Sequence, residues 1–132
     1  MRDLKAANVM VSPVVTARVN TAAKDVALQL LSGMYSGMPV TDDEGRILGI
    51  ITELDLLDAV AAGRDLARTP VEEIMAKNPI TADVDTPISK VLAKMREAHI
   101  LRIPISEGGK LAGMVTRYDI LKSQIDPELF VL

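Results

Sequence analysis

Apolar residues along this chain follow two different spacings. In two stretches they recur every three or four residues, as on one face of a helix: Ala23, Val26, Ala27, Leu30, Leu31 and Met34, then Ile88, Val91, Leu92 and Met95. Elsewhere they form short runs separated by polar turns, typical of buried strands joined in hairpins, at 38–40 with 47–51 and at 103–105 with 111–115. The pattern predicts two copies of strand, helix, strand, turn, strand, helix.

The two copies can be aligned residue by residue. Dipeptides recur at an offset of 65 residues: Val9-Met10 as Ile74-Met75, Val15-Thr16 as Ile80-Thr81, and Pro39-Val40 as Pro104-Ile105. Motif residues after the turn recur at an offset of 64: Gly49, Thr52 and Asp55 as Gly113, Thr116 and Asp119. One residue is lost in a turn, where deletions are tolerated, as expected for a duplicated structural unit.

Capping residues suggest where the helices begin and end. We expect Thr21 to cap the first striped helix, which Gly33 helps to end, and Thr86 to cap the second, with Pro87 at its first position. Closing helices are predicted over 53–62, stopped by Gly63, and over 117–123, and residues 63–70 read as the linker.

The predicted repeats are residues 7–63 and 70–123, followed by an apolar tail at 124–132 that includes Leu129, Phe130, Val131 and Leu132. A copy of roughly 55 residues buries too little surface to be stable alone. The sequence therefore predicts an α/β (α+β) fold in which two β-α-β-β-α repeats pack sheet to sheet with pseudo-two-fold symmetry.

Composition excludes several classes of function. Fifteen Lys and Arg against 18 Asp and Glu leave a charge of −3, and no two basic residues are adjacent, so nucleic acid is not an expected partner. No apolar run approaches the ~18 residues that span a bilayer, so we expect no membrane segment and a cytoplasmic location. There are no cysteines and one histidine, His99, expected at a helix end or in the core, so no metal site is predicted.

The segments Thr52 to Asp55 and Thr116 to Asp119 admit two interpretations. Thr followed three residues later by an acidic residue is a capping box that satisfies helix amides. The same geometry suits a nucleotide, because free amides at a helix start attract phosphate and a carboxylate one turn in can accept ribose hydroxyls. Asp in place of the usual Glu or Gln, in both copies and after a Gly-led apolar strand, favours the second interpretation.

The chain resembles the cystathionine β-synthase (CBS) domain family, as a tandem pair called a Bateman module. The resemblance covers residues 7–123 and rests on Gly49-Ile50-Ile51-Thr52-Glu53-Leu54-Asp55, Gly113-Met114-Val115-Thr116-Arg117-Tyr118-Asp119 and the flanking Val9-Met10 and Ile74-Met75. It implies a regulatory, non-enzymatic module that requires no cofactor and binds AMP, ADP, ATP or S-adenosylmethionine in two clefts.

The resemblance also implies the residues of each cleft. The first would contain Val14, Val15, Thr16, Ser36, Gly37, Met38, Pro39, Thr116, Arg117 and Asp119. The second would contain Ile80, Thr81, Arg102, Ile103, Pro104, Thr52 and Asp55. Arg102 stands where the first copy has Gly37, and Arg117 where it has Glu53, so a phosphate would be favoured differently by the two copies, unless these arginines are only solvated surface charges.

Three functions remain open at this point. The first is a sensor whose ligand changes the state of a regulated protein partner. The second is an assembly module with unoccupied clefts, and the third, a small hydrolase, has little support because no nucleophile, base or metal set is present. The resemblance implies a homodimer formed through the helices, and the apolar residues Leu54, Leu57 and Val60 agree. Residues 41–45 look like a cation loop but lack its further ligands, and are expected to form a turn.

Overall fold

A computed structural model describes residues 1–125 as two compact units. The middle unit is Val15–Pro79, and the terminal unit combines Met1–Val14 with the described residues from Ile80 onward. Apart from Gln124 and Ile125, the predicted apolar tail lies outside the described residues. Helices and short strands occur in both units, which confirms the predicted mixed α+β class.

The elements follow in chain order: α1 (Ala6–Val9), α2 (Ala23–Gly33), β1 (Gly37–Thr41), β2 (Ile47–Thr52), α3 (Glu53–Ala61), two 3₁₀ turns (Leu66–Arg68 and Val71–Glu73), β3 (Ala76–Lys77), β4 (Ala82–Asp83), α4 (Ile88–Ala98), β5 (Arg102–Glu107), β6 (Lys110–Thr116) and α5 (Arg117–Ile125). The middle unit contains the antiparallel sheet β1-β2-β3. The terminal unit contains β4-β5-β6, in which β4 runs parallel and β6 antiparallel to β5. Both predicted hairpins are confirmed.

Each unit has its own aliphatic core. In the middle unit, Val26 and Leu30 of α2 pack with Met38, Ile51 and Leu56. The terminal unit repeats this arrangement with equivalent residues: Val91, Met95, Ile103, Val115 and Ile120. Burial of these side chains supplies the main favourable term for folding in a chain that has so few aromatic residues.

The segments that lead into α2 and α4 each pack in the unit that does not contain that helix. Met10 lies in the terminal unit against Gly113, and Val11 bridges to Met114 through N–H···O bonds of 2.8 and 3.1 Å. Met75, its equivalent in the second repeat, lies against Gly49 in the middle unit. The duplicated Met and Gly are therefore packing partners, although each Met belongs by sequence to one repeat and contacts the Gly of the other.

The predicted caps of the striped helices are wrong. Ala22 and Pro87 occupy the N-cap positions of α2 and α4, and neither makes a side-chain cap bond. Thr21 instead accepts from the amide of Arg18 at 3.2 Å, because that turn competes for its hydroxyl. At the other ends, Met34 and His99 take the left-handed conformation that closes each helix, so His99 is an exposed helix-end residue, as predicted, and not a core residue.

Two further expectations need correction. Leu31 is 77% and Met34 93% exposed within the chain, so the stripe of α2 is wider than the face that its unit buries. The predicted first strand of the first repeat is reduced to a single parallel bridge between Ala17 and Val40. The segment 63–70, predicted as the linker, carries a 3₁₀ turn and the buried Thr69, whose carbonyl accepts from the amide of Ala23 at 2.7 Å.

The loop after Thr41 is a turn, as predicted. The carboxylate of Asp42 accepts from the backbone amides of Glu44 and Arg46, both at 2.9 Å, and from Nε of Arg46 at 2.7 Å. Donation from the Arg46 amide is the largest cause that lowers the pKa of Asp42. The carboxylate that a cation would need is therefore committed to holding the hairpin together.

Candidate ligand-binding site

Both Thr-x-x-Asp segments form closed capping boxes. Oδ2 of Asp55 accepts from the amide of Thr52 at 2.9 Å and from its hydroxyl at 3.0 Å, while the amide of Asp55 donates to Oγ1 of Thr52 at 3.3 Å. The equivalent distances for Thr116 and Asp119 are 2.8, 2.9 and 3.2 Å. The two helix starts are thus built alike to within about 0.1 Å.

The expectation that Asp weighs against a capping box is wrong, because Asp closes it in both copies. The box does not use the whole carboxylate, however. Oδ2 takes both bonds from the threonine, and Oδ1 takes no part in either box. Capping fixes the orientation of the carboxylate, which is compatible with the presentation of its second oxygen to a ligand.

The helix starts offer fewer amides to a phosphate than expected. The amide of Glu53 donates to the carbonyl of Ser36 at 3.1 Å, and that of Arg117 donates to the carbonyl of Leu101 at 3.3 Å. The amides of Asp55 and Asp119 are used within the boxes. Recognition of a phosphate here would rest more on the helix dipole and side chains than on a full set of free amides.

The start of the first hairpin strand lies beside the motif threonine in each unit. Gly37 is the register partner of Thr52, and Arg102 is the register partner of Thr116. The structure therefore brings each strand start next to the Thr-x-x-Asp segment of its own unit. Gly37 and Arg102 therefore occupy equivalent positions in the structure as they do in the sequence.

The remaining candidates differ in what they can offer. Met38 is 1% and Ile103 0% exposed, and Pro39 and Pro104 are buried too, so these four would contribute main chain only. Val15 and Ile80 are exposed, with Thr16 and Thr81 half-buried. The carbonyl of Thr81 already accepts from Nζ of Lys94 at 2.9 Å, whereas Val14 is the last residue before the boundary between the units.

Glu53 and Arg117 also line apolar grooves, which the sequence did not indicate. Glu53 lines an apolar groove of about 340 Å³ in the middle unit, together with Leu31, Leu57 and Val60. Arg117 lines a groove of about 490 Å³ in the terminal unit, together with Tyr118 and Leu121. The first residue of each closing helix therefore faces a helical groove. The missed signal was the wide apolar stripe of α2, which exceeds what one core needs.

Two searches over residues 1–125 give negative results. No group of three or more His, Asp or Glu side chains there is arranged to hold a metal ion. None of the helices in the described part combines the length and apolar character needed to cross a bilayer.

These features define a tandem pair of small α+β repeats with matching helix-start boxes, and the chain belongs to the CBS domain family. The family matches residues 6–62 and 71–126. A curated relative, the L-aspartate semialdehyde sulfurtransferase of Methanocaldococcus jannaschii, is 32% identical over 114 residues, which are 86% of this chain and 22% of that protein. The chain thus spans about a fifth of that enzyme's length.

Solved structures agree in fold. A CBS domain pair crystallised with 5′-methylthioadenosine and S-adenosyl-L-methionine is 30% identical, with a TM-score of 0.82 over 91% of this chain and 94% of that one. A CBS domain protein from Pyrobaculum aerophilum, complexed with AMP, is 24% identical, with a TM-score of 0.82 over 88% of this chain and 89% of that one. The second likeness concerns the fold alone.

Proposed function

We propose that this chain is a regulatory, non-catalytic module that binds adenosine-containing ligands at its Thr-x-x-Asp segments. The observation that carries the proposal is the duplicated box, in which Oδ2 of Asp55 and of Asp119 is fixed by threonine and Oδ1 is left out of the box. The CBS pair solved with two adenosine derivatives, which this chain resembles over nearly its whole length, supports it.

The chemistry of the box suits a ribose. The two hydroxyls of a ribose can donate to a carboxylate, and such charge-assisted bonds are stronger than neutral ones. A carboxylate held at a helix start by its threonine is already oriented, so little side-chain entropy is lost when the sugar binds. Adenine would then be recognised by main-chain groups near Thr16 and Thr81, because the neighbouring side chains are apolar.

The class of ligand is part of the proposal. AMP, ADP, ATP and S-adenosylmethionine share the ribose and the adenine, and they differ in the charge of the 5′ substituent. Arg102 and Gly37 occupy equivalent strand positions, so a phosphate would be favoured beside Arg102 and would meet no such charge beside Gly37. The assignment of residues to two particular clefts stays a prediction.

A thermal-shift series tests the proposal. We expect AMP, ADP, ATP or S-adenosylmethionine to raise the unfolding temperature of the whole chain in a saturable way, because a ligand at roughly 100 times its Kd stabilises the native state by about 2.7 kcal/mol. GMP and ribose 5-phosphate are the matched controls for base and sugar. If no adenosine compound shifts the transition, the assembly module without ligand becomes the better account.

We further propose that the chain forms a homodimer through its helices. Each unit leaves large apolar side chains exposed on or beside its helices: Leu31, Tyr35, Leu54, Leu57 and Val60 in the middle unit, and Tyr118, Leu121 and Ile125, all on α5, in the terminal unit. Contiguous exposed apolar surface of this kind is typical of protein interfaces. We also propose that the module regulates a separate protein partner.

Leu57→Glu is expected to convert the dimer to a monomer. Leu57 is 63% exposed and lines the groove of the middle unit, so burying a charge there in an interface is costly, while the isolated chain tolerates it. Sedimentation equilibrium measures the change. Leu28→Glu is the matched control, since Leu28 is 52% exposed on α2 and does not line the groove. A Leu57→Glu variant that dimerises like the wild type would contradict the helical interface.

A further inference from the structure

The helix pairs of the two units carry opposite charge. On α2 and α3 one lysine stands against four carboxylates, a net charge of −3: Lys24, Asp25, Glu53, Asp55 and Asp58. On α4 and α5 five basic residues stand against two acidic ones, a net charge of +3: Lys90, Lys94, Arg96, Arg117, Lys122, Glu97 and Asp119. The chain as a whole is only weakly acidic, so this separation belongs to the helices.

The difference arises at structurally equivalent positions. Three pairs of exposed residues reverse their sign between the repeats: Asp25 and Lys90, Glu53 and Arg117, and Asp58 and Lys122. The members of each pair occupy the same place on equivalent helices of the two repeats, offset by 65 or 64 residues. Two structurally equivalent helix surfaces therefore differ in charge.

One of these pairs lies at an apolar groove. Among the described residues that line each groove, Glu53 has the only charged side chain in the middle unit and Arg117 the only one in the terminal unit, where the N-terminal residue Met1 also lies. Lys122 also lies over the ring of Tyr118, 5.9 Å from its centroid, so positive charge accompanies the apolar surface there. Each groove thus combines an apolar floor with one sign of charge.

We infer that two copies of this chain pair head to tail, with the middle-unit groove of one copy on the terminal-unit groove of the other. In a two-fold pair this contact is made twice, and Glu53 faces Arg117 of the second copy both times. The head-to-head alternative would place Glu53 against Glu53 and Arg117 against Arg117, which repel. The inference rests on the homodimer proposed above and adds its orientation.

Mixing two charge-reversed chains tests the orientation. Glu53→Arg alone gives a head-to-tail pair two Arg–Arg contacts, and Arg117→Glu alone gives two Glu–Glu contacts. Each variant should dimerise about 30-fold more weakly than the wild type, given the size of exposed ion pairs. An equimolar mixture should recover the wild-type dissociation constant, because the mixed pair has two opposite-charge contacts. The doubly reversed chain is the control and should also dimerise like the wild type.

The head-to-head arrangement predicts different results. There each single variant would dimerise like the wild type and the mixture would be tighter than either, which would overturn the inference. High salt should reduce the difference between the single variants and the mixture, since these charges are exposed.

Engineered cysteines provide an independent readout, because the chain has none of its own. We expect oxidation to cross-link a Glu53→Cys chain with an Arg117→Cys chain and to leave each chain alone uncross-linked. A cross-link within the Glu53→Cys sample would overturn the orientation and leave the dimer standing. A wild-type monomer at high concentration would overturn the dimer itself, and an assembly that grows beyond two copies would overturn the two-fold pair. None of these outcomes depends on nucleotide binding, which the thermal-shift series decides separately.

Discussion

Gly49→Ala is expected to lower the free energy of unfolding by about 3 kcal/mol, near the upper end of the usual cost of overpacking. An added Cβ would lie 2.7 Å from the carbonyl oxygen of Ala76 and 2.6 Å from the sulfur of Met75. The methionine can move, but the carbonyl belongs to β3, where Ala76 pairs with Ile50. Relief of the clash therefore requires β3 to shift away from the sheet. Urea unfolding followed by circular dichroism measures the effect.

Gly113→Ala is the matched control. There the three atoms nearest the added Cβ all belong to Met10, with its sulfur at 2.5 Å and its Cβ at 3.0 Å; the sulfur can rotate away, so that only the milder contact with the Met10 Cβ remains. We expect a smaller loss for this variant, most of it recovered by Met10→Ala, while Met75→Ala recovers only part of the loss caused by Gly49→Ala. Equal losses at the two glycines would contradict the role of the Ala76 carbonyl.

Asp119→Asn is expected to weaken binding of the adenosine ligand about 10- to 100-fold, the cost of losing one charge-assisted hydrogen bond. The amide oxygen of asparagine can replace Oδ2 and accept both bonds from Thr116, so the capping box survives. The NH₂ group takes the place of Oδ1 and cannot accept from a ribose hydroxyl. Isothermal titration with the ligand found in the thermal-shift series measures the change, and Asp55→Asn tests the other segment in the same way.

Stability measurements separate capping from binding. Without ligand, Asp119→Asn should unfold within about 1 kcal/mol of the wild type, since it loses only the charge near the helix dipole. Asp119→Ala removes the box as well and should cost about 1 kcal/mol more. If Asp119→Asn and Asp55→Asn bind every adenosine compound as the wild type does, both carboxylates serve capping alone and the proposed binding mode fails.

The positions of the two Thr-x-x-Asp segments followed from the sequence, whereas the use of their carboxylates did not. The offsets of 65 and 64 residues located both Thr-x-x-Asp segments, and the structure builds them alike. The sequence could not decide between capping and ligand binding, because both uses need the same residues at the same spacing. The structure shows that the capping box forms and involves one oxygen of each carboxylate.

The helix ends were harder to predict than the strands. Thr21 and Thr86 have the chemistry of caps, but the helices begin two residues later, where Thr21 is already bound to the turn before it. Leu31 and Met34 continue the apolar spacing of α2 and are nevertheless exposed. Periodicity reports which face of a helix is apolar, and it does not say whether the chain itself or a partner covers that face.

The sequence by itself determined the duplication, the two hairpins, the closing helices and the mixed α+β class, because each depends on local spacing and turn chemistry. Only the tertiary structure decided that Met10 packs on Gly113 and Met75 on Gly49, so that each compact unit takes its leading segment from the start of the other repeat. The physical reason is that the repeat pattern specifies that a methionine of this kind fits against a glycine of this kind. Because the chain contains two equivalent glycines, the route of the backbone decides which of them each methionine reaches.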